Sequence, residues 1–181
     1  MKNPTAVILV FLMFVLLGLG GAAAEVETQA EPCGAPEADH FDFWLGQWDV
    51  YAKGNLVGHN RIGRILGGCT LFEEYQASGG KFEGKSFNYF DGTDGRWHQV
   101  WVDNGGVRLH LVGGLQETRM VLSGQRVARG KAVTDRISWT PNDDGTVRQL
   151  WELSSDNGES WQVLFDGLYK PVVAGAEGEL K

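Results

Sequence analysis

From residue 47 to residue 169, apolar side chains recur at every second position, in short runs cut by glycine-rich turns. In the run 82–90, Phe82, Gly84, Ser86, Asn88 and Phe90 fall on one side. Glu83 and Lys85 fall on the other, with Lys81 just before them. A period of two belongs to an extended strand, whose successive side chains point to opposite faces. The pattern predicts strands over 47–53, 55–66, 69–77, 82–90, 96–103, 107–112, 116–122, 125–139, 147–154 and 161–169. Between them, "SGGK", "DGTDG", "NGG", "GG", "PNDDGT" and "SDNGES" supply hairpin chemistry. Gly, Asn and Asp accept the left-handed backbone that tight turns need. No long stretch has the three-four spacing of a helix, so no crossover is available and neighbouring strands are antiparallel. An open sheet of this many strands leaves two bare edges, and closure removes both. The expected fold is all-β: an antiparallel up-and-down barrel of roughly eight to ten strands over residues 40–170, with a short N-terminal helical turn.

Such a barrel needs a plug at one end. The stretch "FDFWLGQWDV", residues 41–50, clusters Phe41, Phe43, Trp44 and Trp48 where the folded part begins. A 3₁₀ turn over "FDFWLG" lays these rings across the barrel end, and Gly46 lets the chain bend into the first strand. Trp48 then points into the floor. This Gly-x-Trp entry resembles that of the lipocalins and the wider calycin group. Together with "GKSFNYFDG", "RWHQVWVDNGG", "RISWTPNDDGTVRQLWELS" and "FDGLYK", it makes residues 33–170 resemble an uncharacterised bacterial family of secreted lipocalin-like domains of unknown function. The resemblance implies the barrel and supplies no ligand. Two features depart from the lipocalins. Tyr169-Lys170 stands where an Arg usually packs on the Trp, and the strand count is nearer ten than eight.

The chain ends change the setting. Met1-Lys2, the apolar run Ala6–Leu17 and the small residues Ala22–Ala24 read as a signal peptide over 1–24, with a membrane anchor as the alternative. Residues 25–39 read as a flexible leader and 171–181 as a flexible tail. The protein is then exported, periplasmic or extracellular, with no membrane insertion after cleavage. Cys33 and Cys69 are an even pair in an exported chain, which points to a disulfide, with two free thiols as the alternative. The formal net charge is −7. Without residues 1–24, which hold Lys2 and no acid, 15 Lys+Arg stand against 23 Asp+Glu, a net charge of −8. That balance argues against nucleic acid and anionic membrane surfaces as partners. It leaves the oligomeric state open.

Counting from the turns assigns the inner face. Across "DGTDGR", Phe90 pairs with Trp97, Asn88 with Gln99 and Ser86 with Trp101. Across "SGGK", Ala77 pairs with Phe82, which brings Glu73 inward beside Ser86, with Tyr75 also inward. Across "PNDDGT", Ser138 pairs with Gln149 and Arg136 with Trp151. Opposed residues share a face. The inner face therefore mixes Trp with Asn, Gln, Ser and Glu, where an ordinary core carries Val, Ile and Leu. Buried polar groups are costly unless bonded. A barrel that is too wide for its side chains to fill instead holds a small ligand. The candidate ligand-binding residues are Glu73, Ser86, Asn88, Gln99, Trp101 and Trp151, and the expected partner is a small, aromatic or amphipathic molecule. Three alternatives stay open: a self-satisfied polar network with bound water, an enzyme using Glu73 as acid or base, and a structural or interaction domain. The enzyme reading needs a raised Glu73 pKa in the aromatic lumen; the alternative is that Arg136 or Arg108 neutralises Glu73 instead.

Two other motifs carry less. "SSDNGESW", residues 154–161, matches the S-x-D-x-G-x-[ST]-W box of sialidases, but its physics is that of a hairpin turn. Glycoside hydrolysis also needs a second carboxylate that nothing here defines. His98 faces outward if Gln99 faces in. A three-residue "NGG" loop sends Leu109 and Leu111 inward, and His110 outward. No histidines lie at metal-ligand spacing. Small haem barrels share a Gly-x-Trp entry, and the resemblance implies an iron-binding His on a late strand, where this chain has none. No cofactor and no metal are expected.

Overall fold

The structure, a computed structural model, describes residues 33–172. The expected signal peptide, the start of the leader and most of the tail lie outside the described residues. Ten strands follow one another: β1 (Gly46–Ala52), β2 (Asn55–Ile65), β3 (Thr70–Ala77), β4 (Glu83–Asp91), β5 (Arg96–Asp103), β6 (Arg108–Gln116), β7 (Arg119–Ala128), β8 (Lys131–Pro141), β9 (Val147–Ser154) and β10 (Gln162–Pro171). Each pairs antiparallel with the next, and β10 closes on β1 through Trp48↔Pro171 and Tyr51↔Leu168. The sheet is a closed up-and-down barrel with no free edge.

The aromatic stretch plugs one end, as its composition predicts. A 3₁₀ turn over Asp42–Trp44 buries Phe41 and Trp44 completely. Phe41 stacks on Trp44 at 4.9 Å and meets Trp97 and Trp139 edge-on. Trp48 enters from β1 and donates its indole N–H to the Trp44 carbonyl at 3.0 Å. Gly46, at φ 138°, makes the bend that turns Trp48 under the plug. Met120 and Leu122 complete this fully buried floor. The Trp44 and Trp139 indole N–H groups are enclosed there without a hydrogen-bond partner.

The leader is less free than expected. Residues 36–39 form a further 3₁₀ turn, Ala38 is buried, and the Glu37 carbonyl accepts the Trp97 indole N–H at 2.9 Å. Arg64 holds Asp39 and Asp42 together. Acidic, proline-bearing composition suggests a free segment, but these local anchors fix it from Cys33 onward. Cys33 and Cys69 form the expected disulfide, with Cα atoms 5.2 Å apart, and it clips the leader to the β2–β3 turn at the floor. Replacing both cysteines by Ser is expected to lower stability by about 3–4 kcal/mol, from the chain entropy of the loop closed. Urea unfolding of the oxidised protein and the double variant measures it.

The strand boundaries depart from the sequence pattern between β6 and β8. Gly113-Gly114, expected as a turn, lies inside β6, and the turns fall at Glu117-Thr118 and Arg129-Gly130. Glu117 takes positive φ without being glycine, so the first turn carries little compositional signal; in the second, Arg129 and Gly130 both take positive φ. Gly113 serves close packing instead: a Cβ there would come within 2.1 Å of the Val121 carbonyl oxygen.

Candidate functional site

The plugged floor leaves the opposite end of the barrel for access. Below that end lies a cavity of about 230 Å³, walled by inner-face side chains of β3, β5, β6 and β8–β10. Phe82 and Leu164, both exposed, stand at its rim. Leu164 reaches it through a β-bulge. Val163 pairs with Glu152 and Phe165 with Trp151, so Leu164 is an extra residue, and both Leu164 and Phe165 line the lumen.

Glycines explain why the space stays open. Gly84 on β4 sits beneath the Trp101 indole, where a Cβ would lie 2.1 Å from the ring. Gly58 on β2 accommodates the Tyr75 ring, at 2.5 Å from its hydroxyl, and Gly167 on β10 the Phe165 ring, at 2.4 Å. Each aromatic ring packs over a glycine, in space that a Cβ would take. Two of the walls are pinned as well. Trp101 donates its indole N–H to Asp103 at 2.9 Å, and Trp151 donates to the buried Asp135 at 2.8 Å. Arg126 pairs with that same Asp135 at 2.7 Å. Gly84→Ala is expected to push the Trp101 ring off its seat and cost about 1–3 kcal/mol, as overpacking does. The checks are a lower denaturation midpoint and a shifted tryptophan emission.

A polar chain runs round the inner wall. Gln99 donates to Asn88 at 2.8 Å, Asn88 to Ser86 at 2.8 Å, and Ser86 to Glu73 at 2.6 Å. On its other side Glu73 accepts from Asn60 at 2.7 Å, and Tyr169 donates to Gln149. Glu73 is 3% exposed and has neutral donors but, among the described residues, no cation beside it. Burial pushes its carboxyl up to about 7, against the lowering effect of the Ser86 and Asn60 hydrogen bonds. Burial also raises the Tyr75 and Tyr169 hydroxyls, and the nearby Glu73 charge adds to this. The arrangement can therefore hold or release a proton at Glu73 near neutral pH, inside an aromatic enclosure.

Of the residues singled out from the sequence, Glu73, Gln99, Trp101 and Trp151 border the cavity. Ser86 and Asn88 are on the same face, fully buried, and act behind the wall by holding Glu73 and Gln99. The register across β3, β4 and β5 is the one counted from the turns. Across β8 and β9 it differs by one residue: Trp151 pairs with Ile137, and Arg136 with Glu152. Pro141 joins β8 and shortens the loop, and a slip of one residue reverses every face. Arg136 therefore points outward, bonds Glu152 at 2.8 Å and stacks over Trp161 at 3.8 Å. Arg108 is exposed, and neither arginine neutralises Glu73. The candidate set left out Gln149, which the count set on the same face as Trp151, and Tyr169, which alternation places inside but no motif marks. It also missed Asn60, whose role depends on the β2–β3 register.

The outer motifs are structural. Asp156 accepts from the Ser160 and Ser154 hydroxyls, which hold its carboxyl down at about 2, and Gly158 takes φ 93°. The box is the β9–β10 turn. His98 faces outward, stacks on Tyr89 and lies 3.3 Å from His110. Asp91, Asp94 and His98 bring ligand-type atoms within 4.8 Å of one another there, a grouping that separation along the chain does not announce. Hydrogen bonds to Thr93, Arg96 and His98 already occupy these carboxylates. No helix among the described residues is long and apolar enough to cross a membrane. No protein-family model matches the chain, and no curated protein matches it.

Proposed function

We propose that the protein binds a small molecule in the barrel lumen. The observation that carries this reading is the set of three aromatic rings seated on Gly58, Gly84 and Gly167. Together they keep a polar-edged cavity open in a core that larger side chains could close. The cavity is small, so the ligand is about one ring in size. The disulfide suits an oxidising compartment, which supports export to the periplasm or the cell exterior. The resemblance to secreted lipocalin-like domains is part of the same proposal. The test is a thermal-shift screen of a fragment library against the wild type and Leu109→Trp, which fills the cavity from β6. Compounds that raise Tm only in the wild type support lumen binding. A screen in which both proteins respond alike counts against it.

A second reading, an enzyme, draws on one observation: the Glu73 carboxyl sits near the pH where a general acid or base works best. Turnover of a bound compound that is lost in Glu73→Gln, with the fold retained, is the result it requires.

A further inference from the structure

The chemistry of the lumen is lopsided. Among the described residues that border the cavity there is one carboxyl group, Glu73, and no Lys, Arg or His. The arginines nearest in the sequence pattern are engaged elsewhere, Arg136 with Glu152 and Arg126 with Asp135. Acceptors are also in surplus. Gln99, on the cavity wall, spends its amide N–H on Asn88, leaving its carbonyl oxygen without a partner among the described residues, and behind the wall Asn60 Oδ1 is enclosed without one. The spare donor is the amide of Gln149, whose oxygen is taken by Tyr169. Around these groups stand Tyr75, Phe82, Trp101, Trp151 and Phe165. Aromatic faces carry the negative lobe of the ring quadrupole and attract cations. Asp103 and Asp135 bond the two indole N–H groups, so the tryptophan rings are held in place before any ligand arrives.

We propose that the lumen ligand is a small organic cation, a protonated amine on a body of about one ring, with its ammonium group at Glu73 and Gln99 and its body between Trp101 and Trp151. The inference rests on the lumen being a ligand site, as proposed above. An anion would meet Glu73 with no countercharge. A neutral hydrocarbon would leave the Gln99 carbonyl oxygen without a donor and the Glu73 carboxylate without a countercharge. The ammonium group supplies both missing elements, N–H donors and positive charge. Among the described residues, the titratable groups facing Glu73 are Tyr75 and Tyr169, so ionisation of Glu73 governs the pH dependence of the pairing.

The experiment is a set of tryptophan-fluorescence titrations at pH 8 with 2-phenylethylamine, 2-phenylethanol and phenylacetate, on the wild type, Glu73→Gln and Leu109→Trp. The amine is expected to bind at least about ten-fold more tightly than the alcohol, a difference of about 1.4 kcal/mol, and phenylacetate more weakly than either. Glu73→Gln is expected to bring the amine down to the alcohol's level, and Leu109→Trp to weaken all three. If Glu73→Gln does not fold, titration of the wild type at pH 5.5 replaces it, and the amine's advantage is expected to shrink there. An alcohol or carboxylate that binds as tightly as the amine, with Leu109→Trp still blocking it, overturns the cation and keeps the lumen site. Absence of binding by all three, together with an unresponsive thermal-shift screen, overturns both.

Discussion

Trp44→Ala is expected to destabilise the protein by about 3–5 kcal/mol, the range for removing a fully buried tryptophan. Trp44 has no exposed surface and is the centre of the floor, stacked on Phe41, tilted against Trp139 and edge-on to Tyr169. The plug around it seals the end of a closed barrel, so its loss both makes a cavity and admits water to the ring cluster. The carbonyl that accepts the Trp48 indole N–H belongs to residue 44, and its position depends on the turn the ring anchors. Phe43→Ala, at a part-buried neighbour on the same turn, should cost less. Urea denaturation of the two variants against the wild type separates them. Equal, small losses would mean that the plug is not what closes the floor.

Stability is expected to fall by about 3 kcal/mol as pH rises from 4.5 to 7, relative to the same measurement on Glu73→Gln. The buried Glu73 carboxyl sits at about 7, against an ordinary value of 4.5. Between those values the folded chain keeps a proton that the unfolded chain has released, so raising the pH favours unfolding. Above about pH 7 both states are ionised and the difference is constant. Carboxylates held low on the surface, such as Asp166 beside Arg148, titrate alike in both proteins and cancel in the comparison. Urea unfolding at intervals from pH 4.5 to 8 gives the two curves. Parallel curves would show that Glu73 is ionised or hydrated in the folded state. A bound amine should reduce the slope, because it favours the carboxylate.

The strand alternation made the barrel and the plug legible before any coordinates. It also gave the inward set on β3, β4 and β5, because "SGGK" and "DGTDG" fix those registers through their glycines. Where turns lack that chemistry the reading slipped. Glu117-Thr118 makes a tight turn that composition does not mark, Arg129-Gly130 carries one glycine inside an otherwise continuous run, and Pro141 in β8 moved Arg136 from the lumen to the surface. The six candidate site residues do share one face, but a face is not a cavity. Whether space remains depends on which rings lie on which glycines, as Trp101 does on Gly84, and on the bulge at Leu164. Those are relations between separate strands, or between a strand and its own twist, and a period of two does not encode them. The sequence leaves Glu73 between a raised carboxyl and one neutralised by arginine; its burial and the outward turn of Arg136 decide between them.

A lumen that holds a small molecule should keep one through purification, and native mass spectrometry of the protein from its own source, in parallel with Leu109→Trp, detects it. The expected result is a retained organic compound on the wild type that denaturation releases and that the filled variant lacks. Identical bare masses for the two proteins, with tryptophan fluorescence unmoved by any of the three phenyl probes, would contradict it.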